Sequence, residues 1–190
     1  TDWITLPKAR LEYCTRYPNS AFQEFDIKKL LPELGRILKG TNFGAWFGVN
    51  IFTSVAEGGS EGGNEGMGAW TSLPPGSTPY RFKHFSGQVS YPWAIIPPRG
   101  ANLAVVAHEI GHHLGFQHSS GPYNTAYGSG WDFMSRGRNR ANPDPEFGTS
   151  PVSLIAYQML TAGWLPLSRV YYADTGAHEV RLERLSAPTN

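Results

Sequence analysis

Cysteine is nearly absent: Cys14 stands alone among 190 residues. One thiol excludes an internal disulfide framework and leaves the redox compartment open. Its ordinary reading is a small, half-buried apolar residue, with a bridge to a segment outside this chain as the alternative. An excess of either charge is also lacking, because 16 Lys plus Arg face 15 Asp plus Glu for a net charge of +1. That balance gives no electrostatic footprint for nucleic acid or an anionic membrane. No apolar run approaches the roughly 18 to 20 residues needed to span a bilayer. The chain opens at Thr1-Asp2-Trp3 without Met and without a charged-then-apolar targeting segment, which reads as a processed form or an excised domain.

Turn formers are abundant instead. With 22 Gly, 15 Pro and 13% aromatic residues, the sequence promises many turns and long shaped loops. The 40% hydrophobic and 16% charged fractions belong to an ordinary globular chain, long enough at 190 residues for one domain with a real core. Residues 1–190 are therefore expected to form a single domain, with 166–190 either completing it or beginning a β-rich neighbour. No internal repeat is evident.

Periodicity places the elements. Residues 4–13 read as an early strand despite Pro7. Phe22, Ile27, Leu30, Leu31, Leu34, Ile37 and Leu38 have helical spacing, predicting a helix over 20–39 with Ser20 and Gln23 as a capping box, Gly40 as its stop and Pro32 kinking or dividing it. Residues 43–53 read as a buried strand, 57–68 as a glycine-rich loop and 67–73 as a short edge strand. Prolines between 74 and 100 exclude long helices, with a short strand at 91–96. A helix over 102–114 follows, opened by Asn102 and stopped by Gly115. Residues 119–150 read as loop and 150–162 as a last helix ended by Gly163, its stripe made of Val152, Ile155, Ala156, Met159 and Leu160. Two strands, 169–173 and 178–185, would flank a turn at Asp174-Thr175-Gly176.

The chemistry is concentrated in the run His108-Glu109-Ile110-Gly111-His112-His113-Leu114-Gly115-Phe116-Gln117-His118, which fits H-E-x-x-H-x-x-G-x-x-H at every fixed position. Residues four apart on a helix lie one above the other, so His108 and His112 can address one metal ion. Gly115 permits a backbone turn closed to most side chains, so the chain can double back and deliver His118 as third ligand. Three protein ligands leave one position open on Zn²⁺, where water becomes acidic near neutral pH. Glu109 lies about 100° around the helix from His108 and is the candidate general base.

A bare H-E-x-x-H arises by chance, but the added Gly and third His make the coincidence far harder. A purely structural zinc site would more usually be closed by four ligands. His113 faces away from the ligand pair and reads as a packing or hydrogen-bonding residue, while His84 and His178 lack ligand spacing.

With these residues the chain resembles the metzincin zinc peptidases. Gly130-Trp131-Asp132-Phe133-Met134-Ser135 looks like that family's Met-turn, and Ser150-Pro151-x-x-Leu154-x-Ala156-Tyr157 through Gly163-Trp164-Leu165 is similar to the helix following it in gametolysin-like and immune inhibitor A-like secreted peptidases. His118 favours the gametolysin-like side, since the other group commonly carries Asp there. The resemblance is carried by residues 103–165. It implies an α/β fold with a twisted, mostly parallel sheet, an active-site helix, Met134 in a turn beneath the imidazoles, and a substrate cleft bordered by an edge strand. It also implies secretion. Astacin-like and serralysin-like members place Tyr two residues after the Met, where this chain has Arg136, so a tyrosine ligand at that position is excluded. Tyr123 and Tyr127 precede Met134 and either reach the cleft to stabilise an oxyanion or pack on the loop.

The leading functional expectation is endopeptidase activity on extended protein or glycoprotein segments, with residues 135–149 walling the pocket for the side chain after the scissile bond. Arg136, Arg138 and Arg140 there, offset by Asp144 and Glu146, read first as a solvated loop. The alternatives are a catalytically silent zinc module that grips peptide or glycan, which the intact Glu109 argues against, and zinc as a mere staple. Calcium is compatible with the class, and no residue pattern places it.

Overall fold

A computed structural model describes residues 3–16, 23–41, 48–54, 70–71, 82–83, 90–91, 93–96, 98, 101–120, 127–136, 142–146 and 148–182. The predicted glycine-rich loop at 57–68, Ser20, His84, Tyr123, Arg138 and Arg140 lie outside these. Arg10–Tyr13 form one 3-10 turn where a strand over 4–13 was expected. Glu12 folds back to accept from the Ala9 amide at 3.2 Å, and Pro7 has no amide to give a ladder. Strand β1 (Cys14–Arg16) then pairs antiparallel with β2 (Gln23–Phe25).

Asp26 opens helix α1 (Ile27–Ile37), its carboxylate accepting from Lys28 N at 3.0 Å and from Thr15 Oγ1 at 2.8 Å. The helix therefore begins later than the Ser20–Gln23 pattern predicts, because Gln23 is committed to β2 and Asp26 is the better-placed cap. Burial alone would raise the Asp26 carboxyl, but the donors Thr15 and Lys28 N and the charges of Lys29 and Lys28 outweigh it and hold the group below its ordinary value. Pro32 sits inside α1 without dividing it. Leu30, Leu31 and Leu34 bury one face of α1 together with Tyr13, Trp93 and Ile95, and Leu6, Leu38, Val49 and Ile51 pack around them.

The strands that follow are β3 (Val49–Phe52), β4 (Trp70–Thr71), β5 (Phe82–Lys83), β6 (Ser90–Tyr91) and β7 (Trp93–Ile96). Strand β7 is central in a three-stranded sheet, parallel to β3 and antiparallel to β4. All four β7 residues are buried, as both faces are covered. Trp93 and Ile95 alternate onto the core face with α1, while helix α2 (Leu103–His113) lies against β7 and β4. The short pair β5–β6 is antiparallel. The fold is thus mixed α/β with a small sheet holding one parallel strand pair.

Contacts divide the chain into two compact units, 1–116 and 117–190. In the second, strands β8 (Asn142–Asp144) and β9 (Gly148–Ser150) form a hairpin where loop was expected. Asp144 closes its turn by accepting from Glu146 N and Ser150 Oγ. Helix α3 (Ala156–Thr161) starts well after Ser150, since residues 151–155 stay outside the helix and Ile155 is extended. Its Ala156 is exposed and Gln158 is buried, so the predicted stripe is rotated. The expected strands at 169–173 and 178–185 do not form among the described residues, where Leu167–Arg169 is a 3-10 turn and 170–182 is irregular. Tyr171, Tyr172, Val180 and Leu182 are exposed, and an unsupported two-stranded ribbon is marginal. The turn itself exists: Gly176 has φ 134°, and His178 bridges Tyr171 Oη at 2.6 Å and Asp174 Oδ1 at 2.9 Å. No described helix is long and apolar enough to cross a membrane.

Candidate metal centre

Asn102 caps α2 as its sequence position predicts, Oδ1 accepting from Val105 N at 3.1 Å. One turn apart on the buried side of α2, His108 and His112 are 1% and 2% exposed, with ring centroids 4.8 Å apart and planes nearly perpendicular. The helix ends at Gly115, where φ is 95°. Gly115 N bonds His112 O and Phe116 N bonds Gly111 O, both at 3.0 Å, which is the Schellman pair of bonds that reverses a chain after a helix.

That reversal has a chemical consequence. It brings the Phe116 carbonyl to His112, whose Nδ1–H donates to it at 2.8 Å. With Nδ1 protonated and engaged, Nε2 is the nitrogen His112 presents to a metal. Two residues further on lies His118, exposed to solvent. One ring nitrogen from each of His108, His112 and His118 falls within 4.8 Å of the others. Donors on a tetrahedral ion with bonds of about 2.1 Å stand about 3.4 Å apart, a spacing inside that limit. The donor set, three neutral imidazoles, suits zinc, with copper, iron and nickel as chemically related alternatives.

The other predicted residues are placed as follows. Glu109 is 3% exposed, between His108 and His112 in sequence. Met134 is fully buried in a tight turn in which Ser135 N bonds Asp132 O at 3.0 Å and Met134 N bonds Asp132 Oδ1 at 3.1 Å. The Met134 carbonyl accepts from Ser119 N at 3.3 Å, tying this turn to the residue after His118. His113 is buried and not among the converging nitrogens. It hydrogen-bonds the Trp93 backbone, and burial, with a smaller contribution from His112, holds its imidazole below the ordinary value. Its Nε2 is buried without a hydrogen-bond partner, so Nδ1 makes the Trp93 bond, and burial favours the neutral ring. His178 belongs to the separate turn cluster.

Two residues about His118 were not singled out as its partners. Gln158, buried on α3, donates through Nε2 to Gln117 O at 2.8 Å and so fixes the backbone just before His118. Its only sequence signal is an amide within an otherwise apolar helix face. Tyr127 has φ 59°, unusual outside glycine, and its hydroxyl lies 2.9 Å from His118 Nε2. The sequence offered Tyr127 a cleft-reaching or a packing role, and the structure puts it on a histidine of the triad. Comparison with protein-family models, curated proteins and solved structures finds no match to this chain.

Proposed function

We propose that the chain is a zinc-dependent endopeptidase of the metzincin type that hydrolyses extended protein or glycoprotein segments outside the cell. The observation that carries this reading is the convergence of His108, His112 and His118 across a glycine-reversed helix end, with Glu109 built into the same helix. When bound there, zinc supplies an open coordination position that acidifies water and polarises a carbonyl.

The protein's own residues supply the rest. His112 is oriented by Phe116 O, which makes its remaining nitrogen the more basic donor. Glu109 takes the proton of the attacking water and returns it to the leaving amine, so one carboxylate serves as base and then acid without a covalent intermediate. Burial of Glu109 keeps its carboxylate out of bulk solvent. The Met134 turn, bonded through its carbonyl to Ser119, supports the segment that carries the third ligand.

The discriminating experiment is Glu109→Ala. The variant is expected to keep zinc and lose peptide cleavage by a factor of at least about 100, the range typical of a general base. Zinc-loaded Glu109→Ala with unchanged turnover would refute the base assignment. Zinc uptake by wild type with no cleavage of any peptide would favour a silent binding module.

A further inference from the structure

We propose that Tyr127 is a fourth side chain of the metal centre, its phenol oxygen bonding the ion that His108, His112 and His118 hold. This rests on the metal-binding half of the proposed function and is independent of the peptidase half.

Three observations on one residue converge. Tyr127 Oη stands 2.9 Å from Nε2 of His118. The two rings lie 4.3 Å apart at an interplanar angle of 45°, so the phenol leans over the imidazole with its hydroxyl toward the ring nitrogen. The backbone at Tyr127 is held at φ 59°, a conformation bulky side chains avoid, which the surrounding chain must enforce. A residue kept in a strained conformation with its polar end on a triad histidine is placed for that histidine's task.

The separation bears on what the task is. Two donors bonded at right angles to a five-coordinate ion, with bonds of about 2.1 Å, stand about 3.0 Å apart, and four protein ligands on such an ion leave the fifth position for water. The Tyr127 oxygen and His118 Nε2 already have that spacing, and a phenol oxygen is an ordinary ligand for the metals that imidazoles bind. Metal entry replaces the proton shared by Oη and Nε2, which passes to solvent. Tyr127 precedes Met134 in the chain, so this oxygen comes from the opposite side of the Met134 turn in sequence to Arg136.

The test is copper(II) loading of the purified chain, followed by zinc titration against a competing chelator. Copper-loaded wild type is expected to show the visible charge-transfer absorption of a tyrosine oxygen bonded to copper(II). Tyr127→Phe should lose the band, whereas Tyr171→Phe, which alters the separate His178 cluster, should keep it. Tyr127→Phe should also bind zinc about tenfold more weakly or worse. A copper-loaded wild type without the band, or a band surviving in Tyr127→Phe, overturns the proposal. So does tighter zinc binding by Tyr127→Phe, which would make the phenol a competitor for Nε2. Weaker zinc binding with no band in wild type would make Tyr127 an orienting partner of His118 and also overturn it. Failure of wild type to take up either ion would instead remove the metal reading beneath it.

Discussion

Nδ1 of His112 donates a 2.8 Å hydrogen bond to the carbonyl of Phe116, a bond that exists because Gly115 turns the chain back on the helix that carries His112. One glycine thus sets the tautomer of His112 and the path to His118. A Cβ at Gly115 would meet nothing within 4 Å, so a side chain there is opposed by backbone conformation and not by space. Gly115→Ala should therefore destabilise the metal-free protein by about 1 kcal/mol or more and weaken zinc binding as well. Denaturant midpoints and chelator competition measure the two effects, and equal values in both proteins would show that the reversal is not needed.

His118 is the exposed member of the triad, and its removal should be the cleaner test of metal binding there. His118→Ala is expected to lower zinc affinity by more than the 10- to 100-fold typical of an outer partner, with little change in far-ultraviolet circular dichroism. His178→Ala, outside the triad, should bind zinc like wild type. Equal losses in the two variants would contradict the assignment.

Gln158 should matter to stability and metal together. Gln158→Leu removes the donor to Gln117 O, a cost of about 0.5 to 1.5 kcal/mol for this part-buried bond. Zinc affinity should fall too, because the backbone before His118 loses its anchor. Thermal melting of metal-free and zinc-loaded protein would separate these, the variant showing the smaller shift on zinc addition.

Much of the candidate metal centre was legible because its determinants are local. The i, i+4 histidines, the Asn102 cap and the Gly115 stop act within one or two helical turns, where sequence spacing is spatial spacing. Gly163 was legible for the same reason: Trp164 N bonds Met159 O at 2.8 Å and Gly163 N bonds Leu160 O at 3.0 Å, with φ 72° at the glycine. What sequence could not place depends on partners distant along the chain. Asp26 displaced Ser20 as helix cap once Thr15 supplied a second donor, and Gln158 reached a carbonyl 41 residues away. The hairpin at 142–150 and the irregular 170–182 show the converse, since strand formation hinges on what a strand can pair with and cover. The Tyr127 contact required its left-handed backbone, which no residue pattern announces.

His113 gives a pH dependence with a definite sign. Burial lowers its folded value below the ordinary 6.5, so the fold favours the neutral ring. Its contribution to stability is fully present above the unfolded value and is lost as pH falls through the folded one. In chelator-treated protein, the melting midpoint of wild type should fall from pH 7 to pH 5 more steeply than that of His113→Gln. Parallel slopes would show that His113 is not the group whose protonation the fold resists.

The most direct test of the account is digestion of a denatured protein or mixed peptide library by the purified chain, alone, with a chelator, and with zinc restored, reading cut sites by mass spectrometry. The account predicts cuts that the chelator abolishes and zinc restores. Cuts that persist in the chelator, or none from chain carrying one zinc across a broad library, would contradict it.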